Sequence, residues 1–180
     1  VLRQRGLRYV PEQRLGHATV PEHSLSQNVL LTRAGPDTLR HGWLRPAGMA
    51  ATAAAVMQRF GVRAAGVQAQ ARSLSGGNLQ KYIVGREVSA APRILLLAQP
   101  TWGVDVGAAA QLRSELLALR AAGVAILLLS EDLDELFALS DRLQVMAAGR
   151  LSPAVPTAQM TLARLGRWMS GLWEEAERVA

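Results

Sequence analysis

The stretch LSGGN, residues 74 to 78, combines residue types suited to holding an anion. Gly76 and Gly77 leave their backbone N–H groups uncovered, and Ser75 adds a hydroxyl. The segment NLQKYIVGREVSAA (78–91) spaces Leu79, Tyr82, Ile83 and Val88 along one helical face. A helix therefore opens at the glycines and turns its positive end on them, an arrangement that receives phosphate oxygens. A flexible loop with a serine cap is the plainer alternative. Against it stands the context, since the helix leads past Pro92 into the apolar run ILLL. That run continues as ILLLAQPTWGVD (94–105), and its tip is the second place where chemistry could sit. A carboxylate pair at the end of such a strand can hold magnesium and polarise a water. Ala98 and Gln99 place a methyl group and an amide there instead. Ala98 offers a cation nothing, and neutral Gln99 can hydrogen-bond a water without accepting its proton near pH 7.

The surrounding pattern supplies the elements that must position these groups. LRYVPE (7–12) reads as a short strand ending at Pro11, and SLSQNVLLT as a short helix capped by Ser24 or Ser26. Residues 34–46 read as a loop, 47–60 as an alanine-rich helix ending near Gly61, and 61–73 as irregular. AAAQLRSELLALRAAG (108–123) is a helix with Leu112, Leu116 and Leu119 inward and Gly123 as its stop. VAILLLS (124–130) reads as a fully buried strand. Strand, helix, strand at this spacing makes a βαβ unit, hence parallel strands covered on both faces. EDLDELFALSD (131–141) is a further helix, and RLQVMAAGRL (142–151) two short strands around Ala148-Gly149. Leu162, Leu165, Trp168, Met169, Leu172, Trp173 and Ala176 form one stripe on a last helix, with Glu174, Glu175 and Glu177 on its solvated face.

Composition narrows the function classes. The 180 residues are 49% hydrophobic, enough for one domain with a core and a small subdomain. There are no cysteines, so disulfides and thiolate sites are excluded. No apolar run approaches the roughly 18 residues that span a bilayer. The net charge is +6, yet the arginines are scattered and few aromatics accompany them, which argues against nucleic acid. Lys81 is the only lysine, lying between Gln80 and Tyr82. A phosphate-binding P-loop needs its lysine after a glycine and before Ser or Thr, so this sequence contains none.

With these residues in place, a family resemblance follows. SLSGGNLQK, the strand ILLL and QPTWGVDVGA resemble, in order, the signature helix, Walker B strand and D-loop of ABC transporter ATPases. LSGGNLQKYIVGRE, LLLAQPTWGVDVGA and LLLSEDLDELFALSDRLQVMAAGRL look like the second, degenerate ATPase half of importers for simple sugars and nucleosides. YVPEQR, SLSQNVLL and WMSG extend the match over almost the whole chain. The resemblance places the P-loop upstream of YVPE. It implies an α/β fold, a partial ABC-type P-loop NTPase core with a parallel sheet and an α-helical subdomain. The core would comprise 1–35 and 92–155, the helical subdomain with the signature 36–91, and a C-terminal helix 156–180.

The resemblance also assigns residues. Ala98 replaces the aspartate that supports magnesium, and Gln99 the glutamate that orients attacking water. Glu131 stands where such ATPases carry a histidine that meets the γ-phosphate, and an anion there repels phosphate. Glu12 occupies the Q-loop glutamine position, as fits this subfamily. No catalytic residue is then intact. ABC domains pair head to tail, so Ser75, Gly76, Gly77 and Asn78 would clamp an ATP bound to the partner half, and Asp105 would be the D-loop residue that signals across. For Asp105 the bland alternative is a turn or helix N-cap. Trp102 stands where the subfamily often has arginine. Implied cofactors are ATP and Mg2+ in the full assembly, none tightly held by this chain. Implied partners are the first ATPase half of the same subunit, membrane permease subunits reached through the region near Ser24 to Leu31 and the helical lobe, and a substrate-binding lipoprotein indirectly. The expected place is cytoplasmic, peripheral on the inner face of the membrane. The chain alone is expected to be inactive and, with an exposed sheet edge, to self-associate. Two alternatives stay open, a scaffold that binds no nucleotide and a soluble ABC ATPase acting on nucleic acid.

Overall fold

The computed structural model describes residues 2–173, which fall into two compact units, Val1–Glu131 and Asp132–Ala180. The first unit is built on β1 (Leu7–Val10), α1 (Leu25–Asn28), β2 (Leu39–Arg40), β3 (Trp43–Leu44), α2 (Pro46–Arg59), α3 (Gly76–Val88), β4 (Ile94–Ala98), α4 (Val106–Ala121) and β5 (Ala125–Leu129). Strands β1, β4 and β5 form a parallel sheet in the order β1-β4-β5, with Tyr9 opposite Leu96 and Leu96 opposite Leu127. The β4–α4–β5 segment is the βαβ crossover read from the sequence. Each of its helices starts on a residue suited to the task. Ser24 closes a capping box with Gln27 at α1, Pro46 opens α2, and Ser75 and Asp105 cap α3 and α4.

Helices α1, α2 and α3 pack on one another, and α3 also packs on β1. Tyr82 Oη donates to the carbonyl of Leu25 at 2.5 Å, and burial pushes its pKa up to about 12. Arg86 is 1% exposed and is fully engaged. It pairs with Glu87 at 2.8 Å and donates to the carbonyls of Asn28 and Ala18 at 3.0 and 2.9 Å. These bonds tie the helix behind the glycines to the segment after β1. A buried charge is tolerated only with such partners.

Alternation along the strands puts Val10, Leu95 and Leu97 on one face of the sheet, all fully buried. Tyr9, Ile94, Leu127 and Leu129 lie on the other face and are 45% to 57% exposed. The fully buried β5 read from the sequence is therefore corrected. It is an edge strand with one face bare, because among the described residues the sheet has three strands and that side is uncovered. Two further differences concern 34–46 and the last helix. The expected loop contains a hairpin, β2 to β3, turned by His41 and Gly42, both at positive φ as a two-residue turn requires.

In the second unit, α5 (Leu133–Leu139) is followed by β6 (Arg142–Leu143), β7 (Met146–Ala147), β8 (Arg150–Leu151), β9 (Val155–Pro156) and α6 (Leu162–Met169). Strands β7 and β8 pair across Ala148-Gly149 as the sequence suggests, and β6 pairs with β9. The core joins Leu143, Val145, Val155, Met160, Leu165 and Trp168. The expected apolar stripe is shorter than read. α6 ends at Met169, Gly171 turns the chain at φ 78, and Leu162, Met169 and Leu172 are exposed. Glu174, Glu175, Ala176 and Glu177 lie outside the described residues.

Candidate functional site

At the start of α3 the chain is held open by its own side chains. Ser75, in extended backbone at φ −61 and ψ 153, caps the helix and its Oγ accepts from Asn78 Nδ2 at 3.0 Å. Asn78 Oδ1 accepts from the backbone N–H of Arg63 at 2.8 Å. The Asn78 amide thus braces the serine hydroxyl against the preceding loop. Gly76 and Gly77 contribute the first helical N–H groups, which have no acceptor within a helix. Both glycines also have close neighbours, backbone at Gly77 and a side-chain end at Gly76. A Cβ on Gly77 would stand 3.0 Å from the carbonyl oxygen of Gly103, and one on Gly76 would stand 2.7 Å from Arg14 Nη1.

Those neighbours bring two more segments to the same place. The turn after β4 lies against Gly77, with Gly103 at φ 65. Asp105 ends that turn. Its Oδ1 accepts from the N–H of Ala108 at 2.8 Å, and its Oδ2 pairs with Lys81 Nζ at 2.8 Å. The hydrogen bond from Lys81, with the capping bond behind it, holds the Asp105 carboxyl below the usual range. Asp105 is therefore an N-cap and, through Lys81, a link between the turn and α3. Neither role excludes the other. The third segment carries Arg14. Its guanidinium lies over the Trp102 ring, 5.2 Å from the centroid, and donates through Nη2 to the Trp102 carbonyl. Burial lowers the pKa of Arg14, which remains a cation at neutral pH.

The strand tip forms a second cluster. Gln99 sits in the left-handed region at φ 52, and its N–H donates to the carbonyl of Leu129 at 2.8 Å. Its side-chain Oε1 accepts from the N–H of Glu131 at 3.3 Å. Gln80 of α3 donates through Nε2 to the carbonyls of Gln99 and Pro100 at 3.2 and 2.9 Å. The tip is thus locked to both β5 and α3. Ala98 is half-buried and Glu131 exposed, so the group contains no inward carboxylate. The donor set does not fit a divalent cation, and no cluster of three metal-ligating side chains occurs among the described residues. Glu12 is exposed on the loop after β1 and joins neither cluster.

The structure brings Ser75, Gly76, Gly77, Asn78 and Asp105 to one surface and Ala98, Gln99 and Glu131 to another. Arg14, Gln80 and the Lys81 pairing were not singled out from the sequence. Arg14 lies within the quoted motif YVPEQR, but a contact 88 residues along the chain, to the Trp102 carbonyl, leaves no local signal.

The chain matches no protein-family model. It is 35% identical over 167 residues to the ribose import ATP-binding protein RbsA 2 of Rhizobium etli, a match that takes in 93% of the chain and 33% of the relative. It is 37% identical over 167 residues to the guanosine import ATP-binding protein NupO of Bacillus subtilis, covering 92% of the chain and 33% of the relative. The chain thus spans about a third of the length of the curated relatives it matches. Among solved structures it superposes with a TM-score of 0.68, at 15% identity, on the ATP-binding cassette MJ0796 in a dimeric post-hydrolysis state bound to ADP and Pi, covering 87% of this chain and 66% of that one. Over nine-tenths of its length the chain is therefore a homologue of ATP-binding proteins of sugar and nucleoside import, and it folds as part of an ABC-type ATPase cassette.

Proposed function

We propose that this segment is the degenerate second nucleotide-binding half of an ABC importer subunit for simple sugars or nucleosides. It presents Ser75, Gly76, Gly77 and Asn78 to an ATP held by the first half, and it is silent on its own Walker B face. The observation that carries this reading is the contrast between the two clusters. The signature surface keeps a hydroxyl, free helix-start amides and two cations. The strand tip has a methyl group at Ala98 and an amide at Gln99 whose acceptor oxygen is engaged by Glu131.

Each group has a defined task in this reading. The Gly76 and Gly77 amides and the Ser75 hydroxyl donate to terminal phosphate oxygens, with the positive end of α3 behind them. Asn78 positions the Ser75 hydroxyl. Asp105, fixed by Lys81 and by the start of α4, carries the state of this surface into the turn facing the partner half. ATP with Mg2+ supplies the reactive phosphoanhydride in the assembled pair. At this chain's own tip neither Gln99 nor Ala98 takes a proton or holds a cation, so the chain alone hydrolyses nothing and binds Mg-ATP weakly.

No helix among the described residues is long and apolar enough to cross a membrane. In the proposed assembly the chain lies on the cytoplasmic face of the membrane against permease subunits, with the region of Ser24 to Leu31 and the helical lobe turned toward them. A substrate-binding lipoprotein is engaged only through the permease.

The test is Ser75→Arg in a polypeptide of the relatives' length that carries this segment, assembled with its permease. The bulky cation fills the space in front of the glycines, and ATP turnover and solute uptake are expected to fall to background. Retained turnover in that variant, with normal folding, points to the scaffold alternative instead.

A further inference from the structure

We infer that Arg14 is a phosphate-binding residue of the signature surface, presented by Trp102. The inference rests on the reading of Ser75, Gly76 and Gly77 as a triphosphate contact and adds a residue to it. Four observations converge. The Arg14 guanidinium stands beside Gly76, with Nη1 2.7 Å from where a Cβ would be, so a side chain there would push the guanidinium aside. Its Cζ lies 5.2 Å from the centroid of the Trp102 ring, and one bond anchors it to the Trp102 carbonyl. Arg14 has no carboxylate partner among the described residues. Finally, the nearby carboxylate, Asp105, is already paired with Lys81.

A guanidinium has five N–H donors in a fixed fork, and the Trp102 carbonyl takes one of them. The cation–π contact and the carbonyl bond restrict the side chain, so less order is lost when an anion docks. Nη1 lies beside Gly76 at the helix start, where an oxyanion could be shared between backbone and side chain. With Asp105 neutralised by Lys81, the local field stays positive. A structural brace for the turn would explain the carbonyl bond. It does not explain why a cation is placed without a counter-charge beside the helix start.

The experiment is a titration of this chain with inorganic tripolyphosphate, followed by the amide resonances of Gly76 and Gly77 and the indole N–H of Trp102. Saturable shifts are expected at all three. Arg14→Gln is expected to weaken binding about tenfold and to flatten its dependence on salt. Arg14→Lys should fall between, because it keeps the charge and loses the fork. Equal affinity and salt slope in wild type and Arg14→Gln, with Ser75→Arg still losing the shifts, would overturn the role of Arg14 and leave the signature reading standing. A lowered Tm with unchanged affinity would identify a brace and equally end the inference. Absence of any saturable shift in the wild type would remove it too, whereas the signature reading itself stands or falls on turnover by Ser75→Arg.

Discussion

Asp105 shows how one side chain can serve both local structure and a longer connection. As an N-cap it satisfies the amide of Ala108, and as a carboxylate it holds the only lysine of the chain. Its folded pKa lies below the unfolded one of about 3.9. A depressed carboxylate contributes stability above the unfolded pKa and loses it as pH falls through the folded value. Asp105→Ala should therefore lower Tm at neutral pH, and the gap to wild type should close below about pH 4. Thermal melts at pH 7 and pH 3 that show the same gap would count against this assignment. Gln99 is the counter-example at the same scale. Its type excludes a proton acceptor, but its left-handed backbone and its bond to Glu131 emerge only from the fold.

The signature helix depends on what lies behind it as much as on its cap. Gly85, in the third turn of α3, faces Phe60 at the end of α2. A Cβ there would meet the Phe60 ring at 2.5 Å. Alanine is ordinarily the better helix former by about 1 kcal/mol. Here the ring is fully buried, and overpacking costs about 1–3 kcal/mol. Gly85→Ala is thus expected to destabilise the first unit by about 1 kcal/mol net, measured as a lower urea midpoint at unchanged m-value. A raised midpoint would show that the Phe60 contact has room to relax. The long helices α2, α3 and α4 were legible at this scale, although α3 stops at Val88, short of the expected end at Ala91. The hairpin of β2 and β3 was not, since two-residue strands have too few positions for alternation to register.

At the scale of the whole molecule, the bare face of the sheet dominates solution behaviour. Tyr9, Ile94, Leu127 and Leu129 present contiguous apolar surface on parallel strands, which are ordinarily covered on both sides. The chain by itself should associate through this face. Leu127→Glu together with Leu129→Lys should shift it toward monomer without loss of helicity. Sedimentation showing a wild-type monomer at high concentration would sink this expectation, as would association indifferent to both substitutions.

The amino-acid sequence alone determined the chemistry on offer: glycines that open a helix, a strand tip without carboxylates, one lysine in no P-loop, and the motif order that resembles an ABC cassette. Those are properties of residue type and short spacing, which a linear text preserves. The fold class followed from the same information and agrees with the solved cassettes. Only the tertiary structure decided which side chains share a surface. Arg14, Ser75, Trp102 and Asp105 come from segments far apart in sequence, and the strand β5 was read as buried although half of its sheet face is open. Contact between distant segments depends on chain closure and packing, and no local pattern encodes which partner a side chain will meet.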